Sequence, residues 1–274
     1  MSGPDFAHVY NKLTGVLEEM NVNQCRLLER PMEYNLWRAP TGNDRYLKLK
    51  WQKAHYDLTY SRAYQTDYSV TAEGVRIHSV IAILSPVIQR ILNMEADWLI
   101  GADGSVDINL AVKRDTELPE LPRFGLRLFL PKDMEDVTYC GLGPVESYRD
   151  KRRASSHGLF TANVAALHED YIRPQENGSH DDCDFVTLTG RRAGLTAAGD
   201  QTFSFNASVY TQEELTEKNH NYELVRSPYT VLCLDYRMNG IGSNSCGPRL
   251  LEKYRLDEAE FTFGISLIPE GKAE

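Results

Sequence analysis

Apolar and polar residues alternate with a period of two along most of the chain, and turn-forming residues break the alternation at intervals of about 8–12 positions. Ser105 to Lys113 is the clearest stretch: Val106, Ile108, Leu110 and Val112 fall on one side, with polar residues between them. Phe6–Tyr10 and Val16–Met20 flank the turn-like Asn11-Lys12-Leu13-Thr14-Gly15, which predicts an N-terminal hairpin. Further strands are predicted over Tyr56–Tyr60, Asp67–Ala72, Arg76–Leu84, Ile88–Ile100, Leu126–Leu130 and around Val137–Cys140. In the second half they are predicted over Phe185–Thr189, Gly194–Ala197, Phe203–Tyr210, Thr230–Tyr236 and Glu260–Leu267. Helical periodicity is weak, and only Thr211–Leu215 offers a capped start, for one or two turns. The pattern predicts an all-β sandwich. With no Pro/Gly/Ser-rich linker and no internal repeat, residues 1–274 read as a single domain.

Composition narrows the class. The 274 residues are 42% hydrophobic and 25% charged, with a formal net charge of −9, which suits an ordinary globular chain and not a disordered or collagenous one. The strongest apolar run, Val80–Leu84, is far too short to span a bilayer. Thirty Lys and Arg against 39 Asp and Glu, without basic blocks, argue against a nucleic-acid partner. The first residues carry no secretory pattern, and Cys25, Cys140, Cys183, Cys233 and Cys246 include no CxxC pair. Reduced thiols and a cytoplasmic location are the expectation.

Four segments do not read as plain strands. Trp37–Arg45 packs an aromatic, two Arg, a Pro and a Gly-Asn-Asp turn into a short stretch. Gly141-Leu142-Gly143-Pro144 leads into Glu146, Tyr148, Arg149 and Asp150, while Tyr171–Gly178 carries Gln175, Glu176 and Asn177. Gly240–Pro248 is a Gly/Ser loop containing Cys246. Amides, carboxylates and aromatic rings on loops are what a sugar site needs, since hydroxyls are bound by the former and ring faces stack on the latter. Each segment also has a plainer reading: Arg38 tying a loop down, the Pro-Gln-Glu-Asn run crossing between sheets, Cys246 as a small packed residue. Gly240–Gly242 lacks the rest of a dinucleotide fingerprint. His55, His168 and His220 are isolated and make no local metal-ligand motif, so neither a metal nor a cofactor is expected in this chain. Glu146 and Glu176 could serve as a carboxylate pair for glycoside hydrolysis, which spacing alone leaves open.

The same segments carry a family pattern. Asn35-Leu36-Trp37-Arg38-Ala39-Pro40-Thr41-Gly42-Asn43-Asp44 resembles the N-x-W-R-A-P-T-D-N-D signature of the C-terminal domain of bacterial β-galactosidases, glycoside hydrolase family 2. Leu121-Pro122-Arg123-Phe124-Gly125 is similar to its L-P-R-x-G, Gly141–Asp150 to its G-x-G-P-x-E-x-Y-x-D, and Tyr171–Gly178 to its Y-x-x-P-Q-E-N-G. Gly240–Pro248 is similar to its last loop, and the matches run in family order from about residue 6 to 268.

The resemblance implies a large antiparallel super-sandwich, galactose mutarotase-like. It places the two catalytic glutamates on an upstream TIM barrel, so no catalytic residue is expected here. The chain would then be the small subunit of a two-chain enzyme or the excised end of a longer one. Its partners would be that barrel and a galactoside, with a homo-oligomer as a further possibility. The residues expected at the pocket rim are Asn43, Asp44, Arg45, Ser243, Asn244, Ser245 and Cys246. Trp37, Arg38, Glu146, Tyr148, Gln175, Glu176 and Asn177 are expected to be structural. Cys246 cannot stack on sugar as an indole does, so contacts from its loop would be hydrogen bonds. Loops Thr41–Arg45 and Ser243–Gly247 are expected at one end of the sandwich, with their amides unpaired. The competing readings are a free-standing sugar-binding module or mutarotase-like aldose epimerase, and a domain that only buttresses the barrel.

Overall fold

The computed structural model describes residues 1–88, 90–242 and 245–271. Its strands are β1 (Phe6–Asn11), β2 (Val16–Val22), β3 (Cys25–Arg26), β4 (Arg30–Asn35), β5 (Tyr60–Val70), β6 (Gly74–Leu84), β7 (Leu92–Gly101) and β8 (Val106–Arg114). They continue as β9 (Arg123–Leu130), β10 (Asp136–Gly143), β11 (Ser156–Asn163), β12 (Ser179–Thr189), β13 (Ala193–Ser208), β14 (Thr230–Met238) and β15 (Glu260–Gly271). Two short α-helices, α1 (Leu47–Lys53) and α2 (Gln212–Glu217), and five 3-10 turns complete the regular structure of the described residues. The fold is the antiparallel super-sandwich that the strand pattern and the resemblance imply.

Alternation sets the register. Val106, Ile108, Leu110 and Val112 of β8 are buried and pair across with Ile100, Trp98, Ala96 and Met94 of β7, so one face of this hairpin is continuous core. The long strand β13 organises the rest. Along one side it pairs with β12. Along the other its first half, Ala193–Gly199, pairs with β15, and its last residues, Ser204–Ser208, pair with β14. The sheet therefore forks. One branch continues from β15 through β8, β7 and β6 to β5, and the other from β14 through β9 to β4. Beyond β12 lie β10 and β11, and β1, β2 and β3 form a separate small sheet. One continuous core runs between the branches, with Phe124 of β9 edge-on to Phe261 of β15 at 5.1 Å.

Several elements differ from the sequence expectation. Tyr56–Leu58 is a 3-10 turn, with Tyr56 buried and its hydroxyl donating to the Pro119 carbonyl at 2.7 Å; the strand begins at Tyr60. The predicted strand Gly194–Ala197 and most of Phe203–Tyr210 are parts of the single β13, which ends at Ser208, because the stretch between them bulges out of register with β12 and does not end the strand. The sequence pattern predicts no strand or helix for β3, β4, β11, α1, most of β5 or the first half of β12. In α1 only Leu47 and Trp51 are buried, one turn apart on a helix otherwise rich in lysine. The Trp51 indole N–H donates to the Glu120 carbonyl at 2.8 Å, which holds the helix against the loop before β9. The predicted cap at Thr211 is present: its side chain accepts from the Glu214 amide at 3.1 Å at the start of α2.

Candidate functional site at the loop end

After β4 the chain turns inward and buries Arg38 completely. A buried guanidinium needs acceptors on every side. Its two terminal nitrogens find them in Asp44, at 2.9 and 3.1 Å, and in the carbonyls of Asn239 and Gly240, the latter at 3.2 Å, while Nε is buried without a partner among the described residues. Asp44 in turn accepts from the Thr41 amide at 2.8 Å and the Thr41 hydroxyl at 3.1 Å, closing the Gly42–Asp44 3-10 turn. One ion pair therefore fixes the turn and ties it to the chain leaving β14.

The side chain of Asn43 is left free to reach across. Its amide N–H donates to the Ile241 carbonyl at 2.8 Å, and its carbonyl accepts from the Ser245 hydroxyl at 3.2 Å. The Gln175 side-chain carbonyl accepts from the Gly42 amide at 2.9 Å. Asp150 accepts from the amides of Ile241 at 3.0 Å and Gly242 at 2.7 Å, in the manner of an anion held by consecutive backbone N–H groups. A carbon added at Gly240 or Gly242 would press on that same Asp150 carboxylate, so bare backbone is required there.

Loops from three distant parts of the sequence thus meet at one end of the sandwich. Asn43, Gln175 and Ser245 come together directly. Arg45 closes the turn on the exposed side, its guanidinium stacked 5.4 Å over the Tyr46 ring, and Cys246 is exposed beside the Ser245 hydroxyl. Ser243 and Asn244 lie outside the described residues. Two expectations are corrected. The Asn43 amide is not unpaired, because Ile241 and Ser245 satisfy both its ends. Asp44 is buried, and its oxygens are occupied by Arg38 and Thr41, so it braces the rim from beneath and presents no oxygen to solvent.

A second buried network supports this end. Arg123 makes a two-pronged pair with Asp235, at 3.1 and 2.6 Å, and reaches Glu176 at 3.4 Å. Asn206 donates to Glu176 at 3.2 Å and to the Asn177 carbonyl at 2.5 Å, while the Glu176 amide donates to the Ala39 carbonyl at 3.0 Å. Burial pushes the Glu176 and Asp235 carboxyls above their usual range, against the pull of the Arg123 charge. Asn177 turns the chain by accepting from the Glu169 amide and donating to the Gln175 carbonyl, both at 2.9 Å. Gln175, Glu176 and Asn177 therefore serve the rim, the core and the turn in succession.

Glu146 is surrounded by donors: Lys151, the Tyr171 hydroxyl at 2.7 Å, the Gly178 amide at 2.8 Å and the Tyr148 hydroxyl at 3.4 Å. Neither Glu146 nor Glu176 offers a free oxygen, which leaves the notion of a carboxylate pair for hydrolysis without support. Trp37 is buried, edge-on to Trp51 at 6.3 Å, and its indole N–H donates to the Thr216 hydroxyl at 3.2 Å. Sequence reasoning named Asp150 only within its segment, with no role at the rim, and did not single out Asn239, Arg123 or Asp235. Arg123 and Asp150 stood inside the quoted motifs, whereas Asn239 and Asp235 had no local signal.

The fold is that of galactose mutarotase-like super-sandwiches. It matches a galactose mutarotase-like protein from Lactobacillus casei with a TM-score of 0.50, 10% identity and 98% of each chain covered. It also matches an alpha-mannosidase from Enterococcus faecalis with a TM-score of 0.54 and 10% identity, over all of this chain and 29% of that one. At these identities the likeness is one of fold. The family is defined by sequence: residues 2–267 match the beta galactosidase small chain model, and the chain belongs to that family. A beta-galactosidase of Actinobacillus pleuropneumoniae is 43% identical over 96% of this chain, and one of Staphylococcus xylosus 35% identical over 97%. The chain spans about a quarter of the length of these relatives, 26% and 27%.

Proposed function

We propose that this chain is the non-catalytic domain of a β-galactosidase, that it acts as one domain, and that its loop end completes the galactoside pocket of a separate catalytic barrel. The observation that carries the reading is the meeting of Thr41–Arg45 with the loop after β14 through Asn43. A site shared between two domains needs short polar side chains presented from a rigid sheet, and the Arg38–Asp44 pair supplies the rigidity. Asn43, Arg45, Ser245 and Cys246 are the residues assigned to the rim, with Asp44 beneath them. Ser243 and Asn244 are assigned to it on sequence alone. The chemistry, retaining hydrolysis of a terminal β-galactoside by two carboxylates about 5–5.5 Å apart, would come from the barrel. Among the described residues no helix is long and apolar enough to cross a membrane. All five cysteines are free thiols, which supports a reducing, cytoplasmic setting.

The test is complementation. The pure chain should hydrolyse no nitrophenyl β-galactoside. Co-expressed with a β-galactosidase truncated by the matching quarter, it should restore turnover, and Asn43→Ala should lower the restored activity while leaving the fold intact. Turnover by the pure chain that survives removal of trace host enzyme, or full complementation by Asn43→Ala, would count against the reading.

One observation favours a second reading, a sugar epimerase. A cleft of about 680 Å³ opens on the outer face of β5–β8 and β15, and in it His78 Nδ1 lies 2.8 Å from Asp97. Epimerisation needs an acid and a base beside the sugar ring. Polarimetry of freshly dissolved galactose decides: mutarotation accelerated by the chain and lost in His78→Ala would favour this reading over the first.

A further inference from the structure

Far from the loop end in sequence pattern, three neighbouring strands bring together a thiol, an imidazole and a carboxylate. Cys140 is on β10, His157 on β11 and Asp184 on β12, and their candidate donor atoms all lie within 4.8 Å of one another. The Cys140 sulfur is 3.3 Å from Asp184 Oδ2, and His157 Nε2 is 3.4 Å from that same oxygen. The group faces outward: His157 and Asp184 are exposed and Cys140 half-buried, so ions reach it without any rearrangement of the core.

We propose that Cys140, His157 and Asp184 form a binding site for a divalent zinc-like cation, with water in the fourth position. The distances carry the argument. Bonds of about 2.3 Å to sulfur and about 2.0 Å to nitrogen and oxygen, arranged tetrahedrally, put donors about 3.3–3.6 Å apart. Two of the three edges already have that length without a metal present. The donor set of thiolate, imidazole and carboxylate suits a borderline ion such as Zn²⁺ and not Mg²⁺ or Ca²⁺, which take oxygen ligands. Because β10 is hydrogen-bonded to β11 on one side and β12 on the other, the donors ride on a paired sheet and binding needs only side-chain adjustment. Binding releases the Cys140 proton to solvent and straps three strands together. The sequence offered no motif because strand pairing, not local spacing, assembles the site.

The experiment uses the whole chain, reduced and freed of metal, with Co²⁺ as a visible stand-in and Zn²⁺ as competitor. One Co²⁺ per chain should bind, with a thiolate-to-cobalt charge-transfer band and the intense visible bands of a four-coordinate ion, and Zn²⁺ should erase both. Cys140→Ser should abolish the charge-transfer band. His157→Ala and Asp184→Asn should each weaken binding on the order of tenfold or more. Cys25→Ser, which removes the other half-buried thiol, should bind as the parent does, and thermal melts without metal should show each variant folded. Absence of the band in the parent at excess Co²⁺, its survival in Cys140→Ser, or parent-like binding by both His157→Ala and Asp184→Asn would overturn the proposal.

Discussion

Glu146 is a carboxylate on which burial and bonding pull in opposite directions. Burial pushes its pKa up, but Lys151, the Gly178 amide and the Tyr171 hydroxyl more than offset this and hold it below the ordinary value. A depressed folded pKa contributes stability that is complete above the unfolded value and is lost as pH falls through the folded one. Glu146→Gln should therefore cost roughly 1–3 kcal/mol near neutrality. The gap to the parent should narrow as pH drops below the ordinary value of about 4.5. Urea denaturation across that range measures it, and a gap independent of pH would contradict the ionised role. Trp37 belongs to the same scale. With the indole buried and its N–H bonded to Thr216, Trp37→Ala should lower stability by about 3–5 kcal/mol, read from thermal or urea melts. The motif made Trp37 and Arg38 visible in the sequence. It could not reveal that Asp44 faces inward, because Asp44 and its neighbour Asn43 are equally polar and only the turn separates their directions.

Legibility at the level of elements follows how many faces a strand buries. In β8 one face is wet, and its alternation is plain in the sequence. In β9 all eight residues are buried, since Arg127 on the far face is covered by Glu33 and Glu213, and only part of the strand could be read in advance. Strand β5 is an edge exposed along most of its length, and α1 shows an apolar stripe of just two residues, so neither carries a strong period. In the loop after β14 the amides of Ile241 and Gly242 share a single acceptor, Asp150. Replacing it by alanine should release the Ile241 and Gly242 amides and speed their hydrogen exchange on the order of tenfold, with exchange in β13 unchanged. Equal acceleration in β13 would mean that the loop is not held locally.

For the molecule as a whole, β13 belongs to both branches of the fork, and the hydrophobic core between them is continuous. Neither branch can lose its packing without exposing the other. Unfolding should then be one transition, with tryptophan fluorescence and far-ultraviolet circular dichroism changing together in urea. The three indoles sample both parts: Trp98 lies in the first branch, while Trp37 and Trp51 lie in the segment that leads out of β4. Two separated transitions would mean that the branches fold as independent units.

The Arg38–Asp44 pair has a consequence for evolution in the laboratory. A buried ion pair costs desolvation, and well-packed apolar side chains of similar volume are often neutral or more stable by about 1–4 kcal/mol. A library selected for heat resistance alone should tolerate or favour such replacements at these two positions. Each winner would give up the guanidinium that grips the carbonyls of Asn239 and Gly240, and with it the fixed distance between two loops. Selection for endurance and selection for a working pocket would then draw the same two residues in opposite directions, and sequencing the survivors of each would record the divergence.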